Sequence, residues 1–138
     1  MPSRGTIQQW SDTYYAAMNA RDADAVAALY ATDAEVLDVV SGVVTCGRDA
    51  IRAVNAERFG GYSDYSLERL ALVIDGDASS DRWVMRGTHD GEYEGLEPTG
   101  RRIEVTGLTF TTFGGVGLAT SDTHYVNVAG LLQQLGLS

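Results

Sequence analysis

The sequence predicts a single α+β domain, on three observations. Two capped helical patterns open the chain, long β-rich segments joined by glycine turns fill its second half, and a short apolar helix closes it.

The elements follow in order. Thr6-Ile7-Gln8-Gln9 has the form of a capping box, and Trp10, Tyr14, Ala17 and Met18 recur behind it at helical spacing, so the first helix is predicted from Thr6 to Asn19. Asp22 caps a second helix from Ala23 to Ala31, with Ala25, Val26, Leu29 and Tyr30 as its apolar face. Glu35–Val40 and Val43–Cys46, separated by Ser41-Gly42, read as a small hairpin. Gly47-Arg48-Asp49 leads into a third helix to Phe59, stopped by Gly60-Gly61. Strands Ser66–Ile74 and Arg82–Thr88 meet across Asp75-Gly76-Asp77, and Arg101–Phe113 and Leu118–Val126 meet across Gly114-Gly115-Val116-Gly117. These four form an antiparallel meander. Gly91–Gly100 is a loop, the expected lid or pocket rim. Asn127 caps a last helix, Val128–Leu135, closed by Gly136. Helices followed by long strands suit a curled sheet wrapped around them as a cone, with a cavity at its wide end.

Composition bounds the function. At 138 residues, 44% hydrophobic and 21% charged, the chain has the size and make-up of one globular domain spanning 1–138. No stretch approaches the roughly 20 apolar residues of a membrane span, and the first residues lack the apolar core of a secretory signal, so a cytoplasmic location is expected. Cys46 is the only cysteine, which excludes an internal disulfide and a cysteine-based zinc site. A net charge of −9 without a basic cluster argues against nucleic-acid and anionic-membrane partners.

Trp83-Val84-Met85-Arg86-Gly87-Thr88-His89-Asp90-Gly91, Pro98-Thr99-Gly100-Arg101 and Gly130-Leu131-Leu132-Gln133-Gln134-Leu135-Gly136 occur in this order. Together they resemble the SnoaL-like polyketide cyclase family of the NTF2-like superfamily. The resemblance implies an NTF2-like cone, a curved antiparallel sheet wrapped around the N-terminal helices and enclosing an apolar pocket, and a homodimer formed through the sheet. It also implies acid/base chemistry on a small hydrophobic carbonyl compound without a cofactor, of the cyclase or isomerase type found in antibiotic biosynthesis. Counted back from the C-terminal motif, His124 falls where the cyclases carry an acid/base aspartate, Phe110 where an assisting histidine stands, and Met18 at a pocket-shaping aromatic position.

The residues themselves leave alternatives open. A free imidazole titrates near neutrality, so His124 serves either as acid/base or as a core histidine holding one hydrogen bond. His89 either orients a substrate carbonyl or fixes the end of its strand. Asp38 alternates with Val36 and Val40, and is a base if it faces the pocket or a solvated edge residue if it does not. Tyr14 either donates to an enolate oxygen or packs in the core with Trp10 and Met18. Phe110, Trp83 and Met85 are candidates for the apolar wall, and Asn127 either touches ligand or only caps its helix. The two histidines are 35 positions apart with no carboxylate identifiably beside them, so no metal site is expected. Two other functions remain: an epoxide hydrolase or hydroxylation-assisting enzyme in which Asp38 activates water, and a non-catalytic binding domain.

Overall fold

Ser3, not Thr6, caps the first helix: its hydroxyl accepts the Thr6 backbone N–H at 3.1 Å, and α1 runs over Arg4–Asn19. The computed structural model describes residues 2–137. Asp22 caps α2 (Ala23–Ala27) by accepting the Ala25 N–H at 3.0 Å. This helix stops short of the Ala31 expected from its apolar face, because the Leu29 carbonyl is taken by Trp10 Nε1 at 2.7 Å and by the Ala119 N–H at 3.1 Å. From the next residue the backbone belongs to a strand.

The strands are β1 (Tyr30–Asp38), β2 (Val44–Cys46), β3 (Ser66–Asp75), β4 (Ala78–Thr88), β5 (Arg102–Phe113) and β6 (Ala119–Val126), with α3 (Arg48–Gly61) between β2 and β3. They form one sheet in the order β2-β1-β6-β5-β4-β3. β3 to β6 are the predicted antiparallel meander, and β1 pairs with β6 in parallel, setting Val36 beside Asp122 and Asp38 beside His124. Register shifts that leave Leu70 of β3 and Thr120 of β6 without a partner bend those two strands, so the sheet curls instead of lying flat.

The concave face carries Trp83 and Met85 from β4, Ile103, Val105, Thr109, Thr111 and Phe113 from β5, and Asp122 and His124 from β6, as strand alternation requires. Against it α1 presents Ile7, Trp10 and Met18, all buried. The Trp10 ring stacks on Tyr14 at 5.2 Å and meets Tyr30 and Phe113 edge-on at 5.8 and 5.1 Å. This aromatic cluster packs between α1 and the concave face of the sheet.

Two features close the wide end. The loop after β4 is tied at its base by the His89 N–H to the Arg101 carbonyl and the Gly100 N–H to the His89 carbonyl, both 2.8 Å. It lies on the end of α3 so closely that a Cβ on Gly91 would stand 2.0 Å from the Gly60 carbonyl oxygen, which only glycine allows. After β6, Asn127 caps α4 (Val128–Gln134) by accepting the Gly130 N–H at 3.1 Å. The Gln134 side-chain amide then accepts the Glu104 N–H at 2.6 Å and donates to the Glu104 carbonyl at 2.9 Å, standing in for the strand partner that β6 no longer supplies there.

Candidate active site

Asp122 and His124 are two positions apart on β6 and therefore share the concave face. Asp122 is 2% exposed; it accepts hydrogen bonds from Thr111 Oγ1 at 2.6 Å and from the Tyr30 hydroxyl. Burial raises its carboxyl to about 7, although both hydrogen bonds pull the other way. Nδ1 of His124 lies 2.9 Å from Thr109 Oγ1, which also accepts the Trp83 indole N–H at 2.9 Å. Burial, followed by the positive charge of Arg58, pushes the imidazole down to about 4. His124 Nε2 and Asp122 Oδ2 are 3.9 Å apart, beyond hydrogen-bond reach, and burial disfavours the charged form of each. The two are neighbours without being an ion pair.

A cavity of about 30 Å³ opens beside them. Tyr14, Tyr30, Thr45, Asn55, Arg58 and His124 bring polar atoms to its wall, and Val36, Ile51 and Val54 bring carbons. It is narrower and more polar than the apolar pocket expected from the sequence. Burial, reinforced by the nearby Asp122 carboxylate, raises both Tyr14 and Tyr30 well above the ordinary tyrosine range, so both stay protonated donors at neutral pH. Among the described residues no group of three His, Cys, Asp or Glu side chains gathers as a metal site would need.

The sequence model of the SnoaL-like polyketide cyclases matches residues 8–135. The chain belongs to this family. Solved structures agree on the NTF2-like fold: TsrD from Streptomyces laurentii is 24% identical, with a TM-score of 0.88 over 100% of both chains. AclR from Streptomyces galilaeus, described as a candidate hydroxylase, is 20% identical, with a TM-score of 0.85 over 99% of this chain and 88% of its own. IdmH from Streptomyces antibioticus, described as a candidate polyketide cyclase, is 25% identical, with a TM-score of 0.80 over 94% and 98%. No curated protein sequence matches the chain. No described helix is long and apolar enough to cross a membrane.

In this SnoaL-like chain the residues singled out from the sequence separate. His124 and Tyr14 meet at the cavity. Met18, 1% exposed, is core. Trp83 and Met85 are buried on the concave face behind the cavity, where Trp83 serves as the donor that holds Thr109. Asp38 stands beside His124 in register, but its Oδ1 accepts the Val40 and Ser41 N–H groups at 3.0 and 3.3 Å, which caps the turn after β1. His89 is fully buried away from the cavity; its Nδ1 accepts the Thr99 N–H at 3.2 Å and anchors the loop.

Phe110 does not face the interior. It is 44% exposed on the outer face, because its even position in β5 is opposite in phase to Thr109 and Thr111. Asn127 lines an open groove of about 450 Å³ on that outer side, with Leu108 and Tyr125. Sequence reasoning passed over Asp122, Tyr30, Asn55 and Arg58. Strand alternation from His124 was signal enough for Asp122, whereas Tyr30 was concealed by its place in an apparent helical stripe.

Proposed function

We propose that this SnoaL-like protein is an acid/base enzyme acting on a small carbonyl compound, closing a ring or moving a double bond. One observation carries the reading: an uncharged imidazole and two protonated tyrosine hydroxyls face the same cavity. His124 takes the proton from the carbon next to the carbonyl; the C–H electron pair becomes the new C=C bond, and the carbonyl π pair moves onto the oxygen. Tyr14 donates a hydrogen bond to the enolate oxygen that forms. In ring closure the enolate carbon attacks a second carbonyl, whose oxygen receives the proton back from His124; in isomerisation the proton returns to a different carbon. Asp122 positions Tyr30 and touches no substrate in this scheme.

The test is deuterium exchange from heavy water into the central carbon of acetylacetone, followed by NMR. The protein accelerates exchange, and His124→Gln lowers the acceleration by about 100-fold or more. No acceleration by the unaltered protein returns the chain to the binding-domain reading. Incorporation of labelled water oxygen into an epoxide substrate favours the hydrolytic one, for which Asp38 has already committed one oxygen to backbone.

The outer sheet face supports pairing with a second copy. Leu108, Phe110 and Tyr125 are 40%, 44% and 50% exposed side by side there, more apolar surface than scattered single side chains would leave.

A further inference from the structure

Arg58, half-buried, enters the cavity wall from α3. Its Nη1 donates to Asn55 Oδ1 at 2.6 Å, and Asn55 is itself held by donating to the Ile51 carbonyl at 2.9 Å. The Tyr93 phenol is close enough to act on the same guanidinium electrostatically. All of these partners are neutral. Arg52, Arg69, Arg86 and Arg102 each have a carboxylate no farther than 3.7 Å away. Arg58 has none among the described residues, and neither do Arg4, Arg21, Arg48, Arg82 and Arg101; of these six it alone lines the cavity. The acids near the cavity are engaged elsewhere: both Asp122 oxygens accept protein hydrogen bonds, and Asp38 caps a turn.

A guanidinium cannot shed its charge, so its lost hydration is offset only when an anion completes the site. The cavity has room for about two water-sized atoms, so a substrate enters only as the cavity widens, and the room beside Arg58 suits a carboxylate head. Val36 and Val54 flank it and meet the carbons that follow.

We propose that Arg58 anchors a carboxylate of the substrate, so that the compound handled here is a keto acid and not a neutral ketone. The carbonyl half of this statement rests on the acid/base reading above; the carboxylate half rests on Arg58. The arrangement also couples binding to basicity. The charged or titratable groups around His124 are Arg58 from α3, Asp38 from β1, Asp122 on its own strand, and the Tyr14 and Tyr30 hydroxyls. Neutralising Arg58 removes a positive field from the imidazole and makes it a stronger base when substrate is present.

The experiment compares acetoacetate with acetylacetone, its neutral counterpart, by NMR titration at pH 7. Acetoacetate binds the unaltered protein at least about tenfold more tightly, as a charge-assisted pair requires. Arg58→Gln abolishes the preference, Arg58→Lys keeps part of it, and Arg52→Gln, on the exposed side of the same helix, leaves it intact. Saturating acetoacetate raises the His124 imidazole pKa in the unaltered protein and not in Arg58→Gln. Equal binding of the two probes, no binding of acetoacetate, or a preference that survives Arg58→Gln overturns the proposal. Binding needs no turnover, so carboxylate preference without deuterium exchange into acetoacetate itself would sink the acid/base reading alone, and exchange without preference would sink this one alone.

Discussion

The indole nitrogen of Trp83 donates to Thr109 Oγ1 at 2.9 Å, and that same hydroxyl lies 2.9 Å from Nδ1 of His124. A tryptophan on β4 thus sets the orientation of a histidine on β6 through one shared oxygen. Thr109→Val keeps the shape and removes the oxygen, leaving the buried Trp83 N–H without its acceptor. The expected cost is about 1–3 kcal/mol in urea unfolding. Deuterium exchange falls about tenfold or more, as it does when the group orienting a catalytic imidazole is lost. Unchanged exchange would show that the imidazole orients itself.

His124 and Asp122 shift stability with pH in opposite senses. Between about pH 4 and 6.5 the unfolded chain carries a proton on the imidazole that the folded chain lacks, so the stability linked to His124 rises with pH. Between 3.8 and about 7 the folded chain keeps a proton on Asp122 that the unfolded chain has lost, so the stability linked to Asp122 falls as pH rises. Relative to the unaltered protein, His124→Gln loses stability and Asp122→Asn gains it as pH rises across this window, each by a few kcal/mol. Urea unfolding at several pH values reads both curves, and difference curves of the same sign refute the assignment.

Gly107 is fixed by contact. A Cβ built there would stand 2.3 Å from Trp83 Cζ2 and 2.5 Å from Cη2. Gly107→Ala forces the indole to move and costs about 1–3 kcal/mol. Adding Trp83→Phe, which removes the second ring, recovers part of that loss in thermal unfolding. A Gly107→Ala variant as stable as the original would mean that the indole has room to give.

Pairing of two copies through the outer sheet face predicts a particle of about twice the 14.8 kDa chain in light scattering. Phe110→Glu brings like charges together across a two-fold axis and yields the monomer. A monomer before substitution rejects the pairing.

The meander and the caps of α2 and α4 were legible in the sequence because they depend on neighbours in the chain, whereas the cap of α1 was placed at Thr6 and stands at Ser3. Asp75-Gly76-Asp77 closes a turn between β3 and β4, and Asp22 and Asn127 cap helices whose N–H groups lie three residues ahead. Tyr30 was not legible. Its neighbours give it a helical apolar period, and it becomes a strand residue only because the adjoining Leu29 carbonyl is claimed by Trp10 and Ala119. The site was half legible: His124 and Tyr14 were singled out, whereas Phe110 was given to the wrong face by a position count that ignored strand phase.

By itself the sequence determined the family, the α+β order of elements and the alternation that puts Asp122 and His124 on one face. Such features follow from residue spacing, which the chain carries in one dimension. The tertiary structure alone decided that Tyr14, Tyr30, Arg58 and His124 share one small cavity, and that Asp38 and His89 hold backbone instead of lining it. Those four come from α1, β1, α3 and β6, and no local rule sets the distance between them. The curl of the sheet and the parallel pairing of β1 with β6 bring them together, and burial in that closed space sets their charge states.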